Sequence, residues 1–423
     1  MSRTLLESVY DLAWKLAVPF LSSNARLREG LEERTLRSGP PPRARVWIQA
    51  ASGGEAYLAW DVLRCLTPPG EGGLDVLCTT NTRQGLGILR QAAVDPELPE
   101  GLRVQARYFP FDAPSLMERA VSAVGPEVAV LLESEMWPGF LAACRRHGTR
   151  VLLANGRMTD TSLARYRAVP GAARLLRPDL VLAMSPEDRA RFAALFGPER
   201  VRLMPNIKFG RMARASAPAG DNPLRGLLPG DAPFVVLGSV RRQEEAEVLE
   251  LARGLLEAWP GAVLGLFPRH MNRVAAWERL LRRAGLPFAR RSALRGAAAP
   301  GVILLWDAFG ELGHAYGLAR AAFVGGSLKP LGGQNFLEPL GAGVVPVIGP
   351  HWSNFAWAGR ELLDQGLVRE AADARDAARI LAELLERTPD REAVRRAARE
   401  HAAGKSGGAR EVCARIAQWL QNE

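Results

Sequence analysis

Short, nearly continuous apolar runs alternate with helical stretches along most of the chain, and this alternation constrains the fold more than any other feature. In the first half these runs are Val46–Gln49, Asp75–Thr79, Glu127–Leu132, Val151–Ala154, Leu180–Ala183 and Val201–Met204. Helical patterns such as Ser115–Val124 and Pro186–Leu195 fill the intervals. Runs without polar alternation are typical of parallel strands that are covered on both faces. The first half therefore predicts an α/β domain with a parallel sheet.

The alternation restarts after a segment rich in Pro, Gly and Ala, residues 211–233, which has the composition of an interdomain linker. The later runs are Phe234–Gly238, Ala262–Phe267, Val302–Leu305, Ala322–Val324 and Val345–Ile348, with strong helical patterns at Gln243–Ala258 and Ala374–Leu385. Two consecutive α/β halves predict two doubly wound domains that face a central cleft. A last amphipathic helix, Ala409–Gln421, is compatible with packing on either domain.

Charge and cysteine usage narrow the functional classes. The chain has 55 Lys and Arg against 45 Asp and Glu, a formal charge of +10. This excess favours an anionic partner, which is nucleic acid, phospholipid or a phosphorylated small molecule, although a high arginine content is also typical of base-composition bias. The four cysteines are scattered without a CxxC pair, and the five histidines lack metal-ligand spacing. These patterns exclude a zinc ribbon and a disulfide scaffold and argue against a catalytic metal site.

Residues 5–21 predict an amphipathic helix at the N-terminus. Its charged positions are Glu7, Asp11 and Lys15, and its apolar positions are Leu5, Val9, Leu12, Leu16 and Phe20. The segment is too short and too charged to predict a membrane-spanning helix. Arginines follow it at Arg26, Arg28, Arg34 and Arg37, a pattern that favours an interfacial helix on an anionic leaflet. The alternative is a helix that packs on its own domain or on a partner.

Candidate catalytic side chains of the first half follow the carboxyl ends of predicted strands, where open α/β sheets bind ligands. Ser52 and Glu55 open a helix after the first strand. Glu55 has two interpretations at this point, a general base or a carboxylate that only complements the helix dipole. Glu133 and Glu135 follow a later strand, and Lys208 follows the last one. Lys208 could pair with Glu133 or bind a substrate phosphate.

The second half contains candidate phosphate ligands. Arg269 and His270 follow a predicted strand, and an arginine can hold a phosphate through two hydrogen bonds. The pairs Gly325-Gly326 and Gly332-Gly333 precede a predicted helix, so we expect their backbone N–H groups to form a phosphate cradle. Glu338 could accept hydrogen bonds from ribose hydroxyls. Neither a Walker motif nor GxGxxG is present, which disfavours an NTPase or a dehydrogenase.

Taken in order, the blocks ASGGE, TTNTRQG, FPFD, ESEMWP, NGRM, NIKF, PRH, GEL and GGS through GPHWSNF resemble those of the 3-deoxy-D-manno-octulosonic acid (Kdo) transferases of lipopolysaccharide biosynthesis. The resemblance implies a GT-B fold of two Rossmann-like domains. It implies an inverting, metal-independent transfer of Kdo from CMP-Kdo to a lipid A precursor (lipid IVA). It also implies no cofactor, no nucleic-acid partner, and a location at the cytoplasmic face of the inner membrane, peripheral or monotopic through the N-terminal helix.

The resemblance also implies roles for individual residues. Glu55 falls on the general base, and Glu133 and Lys208 fall on positions that stabilise the transition state. The implied CMP-binding residues are Arg269, His270, Phe309, Gly310, Glu311, Asn335, Phe336, Leu337 and Glu338. The sequence departs from the family pattern at Gln49 and Gln334, where histidine is usual, at Gly210, where aspartate is usual, and at residues 238–242, where a Ser-Thr-His run is typical.

The expected organisation is a membrane-associating segment (residues 1–38), an acceptor domain (39–210), a linker (211–233), a donor domain (234–408) and a C-terminal helix (409–423). Two other functions stay open. One is a GT-B glycosyltransferase that uses another nucleotide sugar, and the other is a catalytically silent, lipid-binding homologue, for which Gln49 and Gln334 are the support.

Overall fold

The chain divides into two compact units, the first comprising Met1–Gly210 and Lys405–Glu423 and the second Arg211–Gly404. The structure, a computed structural model, describes residues 5–21, 25–70, 72–214, 222–230 and 232–421. The remaining parts of the predicted membrane-associating segment and linker, and the Arg26 side chain, lie outside the described residues. The last helix packs on the first unit, with Val412, Ile416 and Leu420 buried in its core.

The first unit is built on a parallel sheet with the strand order β3-β2-β1-β4-β5-β6-β7. Its strands are β1 (Val46–Ala50), β2 (Leu74–Thr80), β3 (Leu102–Tyr108), β4 (Val128–Leu132), β5 (Arg150–Gly156), β6 (Leu180–Ala183) and β7 (Val201–Leu203). Both faces are buried: Val46, Ile48 and Ala50 of β1 point into one core, whereas Trp47 points into the other. The strand order reverses between β1 and β4, which is where open α/β sheets bind ligands.

Helices cover both faces of this sheet. Between residues 5 and 214 they are α1 (Leu5–Leu21), α2 (Ala25–Arg28), α3 (Leu31–Arg34), α4 (Gly53–Leu63), α5 (Arg83–Ala93), α6 (Pro114–Val124), α7 (Pro138–Arg146), α8 (Asp160–Ala168), α9 (Ala172–Leu175), α10 (Pro186–Phe196) and α11 (Ile207–Arg214). Helices α4 and α5 contribute to one core, and α6, α7 and α10 contribute to the other.

The second unit repeats the architecture with the strand order β10-β11-β9-β8-β12-β13-β14, again parallel. Its strands are β8 (Phe234–Val240), β9 (Val263–Pro268), β10 (Phe288–Arg290), β11 (Ile303–Leu305), β12 (Ala321–Val324), β13 (Pro346–Ile348) and β14 (Arg369–Glu370). The later helices are α12 (Glu245–Ala258), α13 (Val274–Arg283), α14 (Leu312–Leu318), α15 (Leu337–Gly341), α16 (Glu361–Asp364), α17 (Ala374–Glu386), α18 (Arg391–Ala403) and α19 (Gly408–Gln421). The prediction of two doubly wound α/β domains is confirmed.

The strands that the sequence patterns did not reveal, β3, β10 and β14, all lie at sheet edges. An edge strand has one neighbour and a more exposed surface, so it does not need a continuous apolar run. In β3 the exposure alternates along Leu102–Tyr108, in contrast to the fully buried β1 and β4.

Helix α1 turns its charged face inward and its apolar face outward. Glu7 and Asp11 are buried, and they contact Arg146 and the backbone N–H of Ser115 on neighbouring helices. The side chains of Val9, Leu12, Leu16 and Phe20 are 58, 57, 64 and 78% exposed. The helix therefore packs on its own domain through Glu7 and Asp11, while most of the surface of these four apolar side chains is exposed.

One of the arginines expected at a membrane surface lies inside the domain. Arg34 is 2% exposed, and its Nη2 donates a hydrogen bond to the carbonyl oxygen of Asn81 at 2.8 Å. Its guanidinium also lies 4.5 Å from the centre of the Tyr108 ring. The expectation that Arg34 serves an anionic leaflet is wrong, because the side chain is used in packing. No described helix is both long enough and apolar enough to cross a membrane.

Candidate functional site

Glu55 lies in the first turn of α4, directly after the carboxyl end of β1. Ser52 is the N-cap, and its side chain accepts a hydrogen bond from the Glu55 N–H at 3.3 Å. The Glu55 Oε2 accepts one in return from the Ser52 N–H at 3.2 Å, which completes a capping box. Both sequence interpretations of Glu55 therefore remain compatible with its position, since the carboxylate caps the helix and also lies beside other carboxylates.

Glu133 follows β4, the neighbour of β1 in the sheet, in a left-handed backbone conformation with φ 56°. Its side chain is 8% exposed and forms an ion pair with Lys208, whose Nζ lies 2.5 Å from Glu133 Oε1. Arg157 Nη2 lies 3.9 Å from the other carboxylate oxygen. The predicted pairing of Lys208 with Glu133 is thus present in the structure, and a positive φ at a non-glycine residue is typical of a functional site.

Two buried asparagines set the start of the helix that carries Lys208. Asn155, at the carboxyl end of β5, accepts a hydrogen bond from the Ile207 N–H at 3.0 Å. Asn206 accepts one from the Lys208 N–H, also at 3.0 Å. Asn155 has a left-handed φ of 54°, like Glu133. These contacts fix the backbone from which the Lys208 side chain reaches Glu133.

Burial and mutual repulsion raise the proton affinities of the carboxylates at this edge. Burial, followed by the charges of Glu135 and Glu133, raises the pKa of Glu55 to about 8. Burial, and to a lesser degree Glu133, raises the pKa of Glu135 to about 7. A carboxylate whose pKa lies near neutrality is suited to general acid–base chemistry. Glu135 was visible in the sequence beside Glu133, but its electrostatic role depends on a fold that brings Glu55 close.

The arrangement in the first unit therefore combines a basic carboxylate with a carboxylate–ammonium pair. The carboxyl ends of β1, β4, β5 and β7 bring these groups together from distant parts of the sequence. Such a set can remove a proton from a hydroxyl and stabilise positive charge that develops nearby.

In the second unit, Arg269 and His270 follow the carboxyl end of β9 with exposed side chains. The Arg269 N–H donates to the carbonyl oxygen of Val240 at 2.8 Å, which ties this turn to the end of β8. Strands β9 and β12 flank β8, where the strand order of this sheet reverses. Arg269 thus lies beside the carboxyl end of β8, on the side away from the β8–β12 switch point, with a guanidinium that solvent can reach.

The segment Phe309-Gly310-Glu311 follows β11, on the same side of the sheet. Phe309 is 83% exposed, which is unusual for a large apolar ring. Gly310 has a φ of 86°, which allows the turn between the two flanking residues. Glu311 is held rigidly, since it accepts hydrogen bonds from both Arg291, at 2.8 and 2.9 Å, and the Trp306 indole at 2.7 Å.

The segment Asn335–Glu338 enters α15 after β12. Asn335 Nδ2 donates to Glu338 Oε1 at 2.9 Å, and both side chains are exposed. Phe336, by contrast, is 1% exposed and packs against Trp352 and Phe355. Phe336 is therefore part of the core beneath this segment, whereas Asn335 and Glu338 are open to a ligand.

The expected phosphate cradle at the glycine pairs is wrong. A buried carboxylate, Glu244, accepts hydrogen bonds from the N–H groups of Gly326 and Ser327. The Gly333 N–H donates to the Gly326 carbonyl oxygen at 2.7 Å. These donors are already satisfied within the protein, so the glycines shape a compact loop around Glu244. Burial raises the pKa of Glu244, while its four backbone hydrogen bonds act in the opposite direction.

Gln49, which stands where the family usually has histidine, lies in the core. It is 0% exposed, and its Oε1 accepts a hydrogen bond from Thr79 Oγ1 at 2.6 Å. Thr79 in turn accepts one from the Trp47 indole at 2.8 Å. The Gln49 Nε2, by contrast, is buried without a hydrogen-bond partner. Among the described residues, no group of three or more His, Cys, Asp and Glu side chains has an arrangement that could hold a metal ion.

The chain is similar in sequence to known proteins over most of its length. The family model described as 3-deoxy-D-manno-octulosonic-acid transferase (kdotransferase) matches residues 17–211. A 3-deoxy-D-manno-octulosonic acid transferase of Bordetella pertussis is 33% identical over 399 residues, covering 91% of this chain and 89% of the relative. The enzyme of that name from Haemophilus influenzae is 30% identical over 363 residues, covering 84% and 83%.

The fold also has known counterparts among solved structures. A glycosyltransferase from Rickettsia africae superposes with a TM-score of 0.55 at 11% identity, covering 90% of this chain and all of that one. At this identity the likeness concerns the fold alone, which is of the GT-B type.

Proposed function

The chain belongs to the 3-deoxy-D-manno-octulosonic acid (Kdo) transferase family, and we propose that it transfers Kdo from CMP-Kdo to a hydroxyl group of a phosphorylated lipid A precursor, lipid IVA. The observation that carries this proposal is the position of Glu55, beside the Glu133–Lys208 pair at the switch point of the first sheet. Family membership makes the chain a glycosyltransferase, and the acceptor, the donor contacts and the roles of single residues are the proposal.

Glu55 acts as the general base. The acceptor hydroxyl oxygen attacks the anomeric carbon of Kdo, its proton passes to the Glu55 carboxylate, and the bond to the CMP phosphate oxygen breaks with its electron pair leaving on CMP. One displacement without a covalent sugar–enzyme intermediate inverts the anomeric centre. The raised pKa of Glu55 supports this role, since a stronger base takes the proton more readily.

Glu133 and Lys208 stabilise the transition state. The anomeric centre becomes oxocarbenium-like as CMP leaves, and a nearby carboxylate lowers the energy of that positive charge. Lys208 forms an ion pair with Glu133 and offsets the cost of burying the charge of its carboxylate.

The second unit binds the donor. Arg269 and His270 hold the CMP phosphate, and the Phe309–Glu311 turn and the Asn335–Glu338 segment contact the nucleoside. Their supporting features are the accessible Arg269 guanidinium beside the carboxyl end of β8, the exposed Phe309 ring and the exposed Asn335–Glu338 pair. CMP has a single phosphate, which the Arg269 guanidinium and an N–H group of His270 can hold, so the transfer needs neither a bound metal nor another cofactor.

The rate of transfer should rise with pH through about 8. Only the ionised form of Glu55 can accept the proton, and its pKa is raised to about 8, so the active fraction grows as the pH passes that value. Of the two neighbouring carboxylates that raise the pKa of Glu55, Glu135 has the larger effect. Glu135→Gln removes its charge, so the midpoint, the pH at which activity reaches half of its maximum, should move to a lower value. The measurement is kcat/KM against pH for both proteins.

Glu118→Gln is the matched control for this shift. Glu118 is a carboxylate of the same unit that pairs with Arg146 and His147 instead of Glu55. Its replacement should leave the midpoint where it is in the wild type. An unchanged midpoint in Glu135→Gln would contradict the proposed coupling between Glu135 and Glu55.

Helix α1 holds the enzyme at the cytoplasmic face of the inner membrane, in a peripheral or monotopic manner. The outward stripe of Val9, Leu12, Leu16 and Phe20 supports this location, since four exposed apolar side chains on one helix gain free energy by entering the acyl boundary of a leaflet. The net charge of +10 adds attraction to anionic lipids.

The double variant Leu16→Glu with Phe20→Glu should bind vesicles that contain anionic lipid at least about tenfold more weakly. Two apolar side chains that enter the leaflet contribute more than the 1.4 kcal/mol that equals a tenfold change in affinity. Sedimentation with vesicles measures this. Val94→Glu is the matched control. Val94 is also an exposed apolar residue of the first unit, at 80%, but it is the C-cap of α5 and not part of α1. Equal loss of binding in the control would argue against a specific role of α1.

Two alternatives are separable by experiment. A transferase that uses a different nucleotide sugar would be stabilised against thermal unfolding by UDP and not by CMP, whereas the proposal predicts stabilisation by CMP. A silent homologue would show no turnover that depends on Glu55. The Glu133–Lys208 ion pair and the charges of Glu133 and Glu135 acting on Glu55 favour an active enzyme.

A further inference from the structure

The loop that carries the two acidic side chains of the site, residues 133–137, ends where α7 begins. Trp137 is the N-cap of α7 and provides no side-chain cap for the helix. The first N–H groups of a helix have no partner inside it and need an acceptor from elsewhere when they are buried. The residue that provides this acceptor also fixes the rear end of the loop.

Asp112 provides it, from a different part of the sequence. Its Oδ1 accepts a hydrogen bond from the Phe140 N–H at 2.8 Å, and its Oδ2 accepts one from the Gly139 N–H at 3.0 Å. The side chain is 1% exposed. The approach is close, since a Cβ atom at Gly139 would lie 2.3 Å from the Asp112 carbonyl oxygen. Asp112 therefore caps the N-terminus of α7 with hydrogen bonds to both carboxylate oxygens.

The same carboxylate is joined to α1. The Tyr10 hydroxyl donates a hydrogen bond to Asp112 Oδ2 at 3.0 Å. One residue on, Asp11 Oδ1 accepts from the Ser115 N–H at 2.7 Å, at the start of α6. Trp14 stacks on Phe111 with their ring centres 5.6 Å apart. Adjacent turns of α1 are thus fastened to the segment that holds Asp112.

We propose that Asp112 is a positioning residue for the transfer reaction, which holds the 133–137 loop so that Glu133 and Glu135 face Glu55, and that Tyr10 extends this hold to α1. The inference rests on the proposed function for the role of Glu133. It assigns to the segment 109–112 a purpose that the reaction itself does not require, since Asp112 is buried and contacts the backbone of the first turn of α7, directly after the loop.

The loop needs this hold because its front end is strained. Glu133 has a left-handed φ of 56°, and its N–H donates to the Ala154 carbonyl oxygen at 3.0 Å. A non-glycine residue keeps such a conformation only where its surroundings enforce it. With the rear end released, the loop can relax, and displacements of about 1 Å at reacting groups lower rates by about 10²-fold.

The test compares Asp112→Asn and Tyr10→Phe with the wild type. An amide at position 112 turns an N–H₂ group towards one of the two backbone donors, so one hydrogen bond is lost while the side-chain volume is kept. We expect kcat to fall at least about tenfold in Asp112→Asn and by a smaller factor in Tyr10→Phe, with the KM for CMP-Kdo unchanged in both. A purely structural role would lower the amount of folded protein and leave kcat per folded molecule unaltered.

Glu118→Gln is the matched control. Glu118, in the middle of α6, joins this helix to the C-terminal end of α7 through Arg146 and His147. Its kcat should equal that of the wild type. Wild-type kcat in both Asp112→Asn and Tyr10→Phe, or an equal loss in Glu118→Gln, would overturn the proposal.

Hydrogen exchange of the intact chain separates this inference from the proposed function. We expect residues 133–141 to exchange faster in Asp112→Asn and in Tyr10→Phe than in the wild type, and at the wild-type rate in Glu118→Gln. If the wild type transfers no Kdo, the proposed function fails, and the exchange result still decides whether Asp112 holds the loop. Unchanged exchange in both variants would overturn the inference, whatever the activity.

Discussion

Replacement of Glu55 by glutamine should lower kcat for Kdo transfer by roughly 10²- to 10⁴-fold, the range in which a general base contributes. Glutamine cannot accept the proton of the acceptor hydroxyl, so the attack must proceed from the neutral alcohol. The rise of activity through about pH 8 should vanish with it, because burial and the charges of Glu135 and Glu133 place that transition on Glu55. Steady-state kinetics from pH 6 to pH 10 measure both effects.

The substitution is chosen because it keeps the helix start intact. Glutamine at the third position of a capping box still accepts the hydrogen bond from the Ser52 N–H. Stabilisation by CMP should therefore match that of the wild type. Ser52→Ala is the complementary control: it removes the other half of the box and should cost about 0.5–2 kcal/mol of stability while the pH transition persists. A Glu55→Gln enzyme with wild-type kcat would refute the assignment of the base.

Replacement of Lys208 by methionine should lower kcat by about 10²- to 10³-fold, the loss typical of a removed electrostatic contact to the transition state. Without the ammonium 2.5 Å away, the Glu133 carboxylate is left in a site where it is 8% exposed. The buried charge then lacks its partner, so the carboxylate is no longer held in the position from which it stabilises the oxocarbenium-like centre. Arg157, at 3.9 Å, is too distant to replace Lys208 fully.

A double-mutant cycle tests whether the two residues act as a unit. Glu133→Gln combined with Lys208→Met should cost no more than the worse single variant, because each single change already disables the pair. Lys208→Arg is the matched control, since it keeps the positive charge with a different geometry and should retain more activity than methionine. Strictly additive losses in the cycle would show that Lys208 acts apart from Glu133.

The strands at the centre of each sheet and the edge strand β7 could be predicted from the sequence, whereas the edge strands β3, β10 and β14 could not. A central strand such as β4 is buried on both faces and must be apolar throughout, so Glu127–Leu132 marks it. An edge strand such as β14, with two residues, carries no such requirement. Periodicity reports burial, and it is silent where an element is short or exposed.

The polar contacts of the site divide in a similar way. Glu55, Glu133 and Lys208 could be found because each follows an apolar run, and the carboxyl ends of parallel strands meet at one edge. Glu244 could not, since a glycine pair has the same sequence pattern whether its N–H groups bind a phosphate or a buried carboxylate. The outward direction of the apolar face of α1 likewise depends on Arg146 and on the Ser115 N–H, which lie more than 100 residues away.

Mass spectrometry of the product formed from CMP-Kdo and a defined tetra-acylated lipid A precursor, lipid IVA, tests the central claim most directly. The proposal predicts a product heavier than the acceptor by a whole number of Kdo residues, at least one, in the presence of a metal chelator, and a strongly reduced yield with Glu55→Gln. If the wild-type enzyme, assayed in membranes, left both the acceptor and CMP-Kdo unchanged, this result would contradict the proposal.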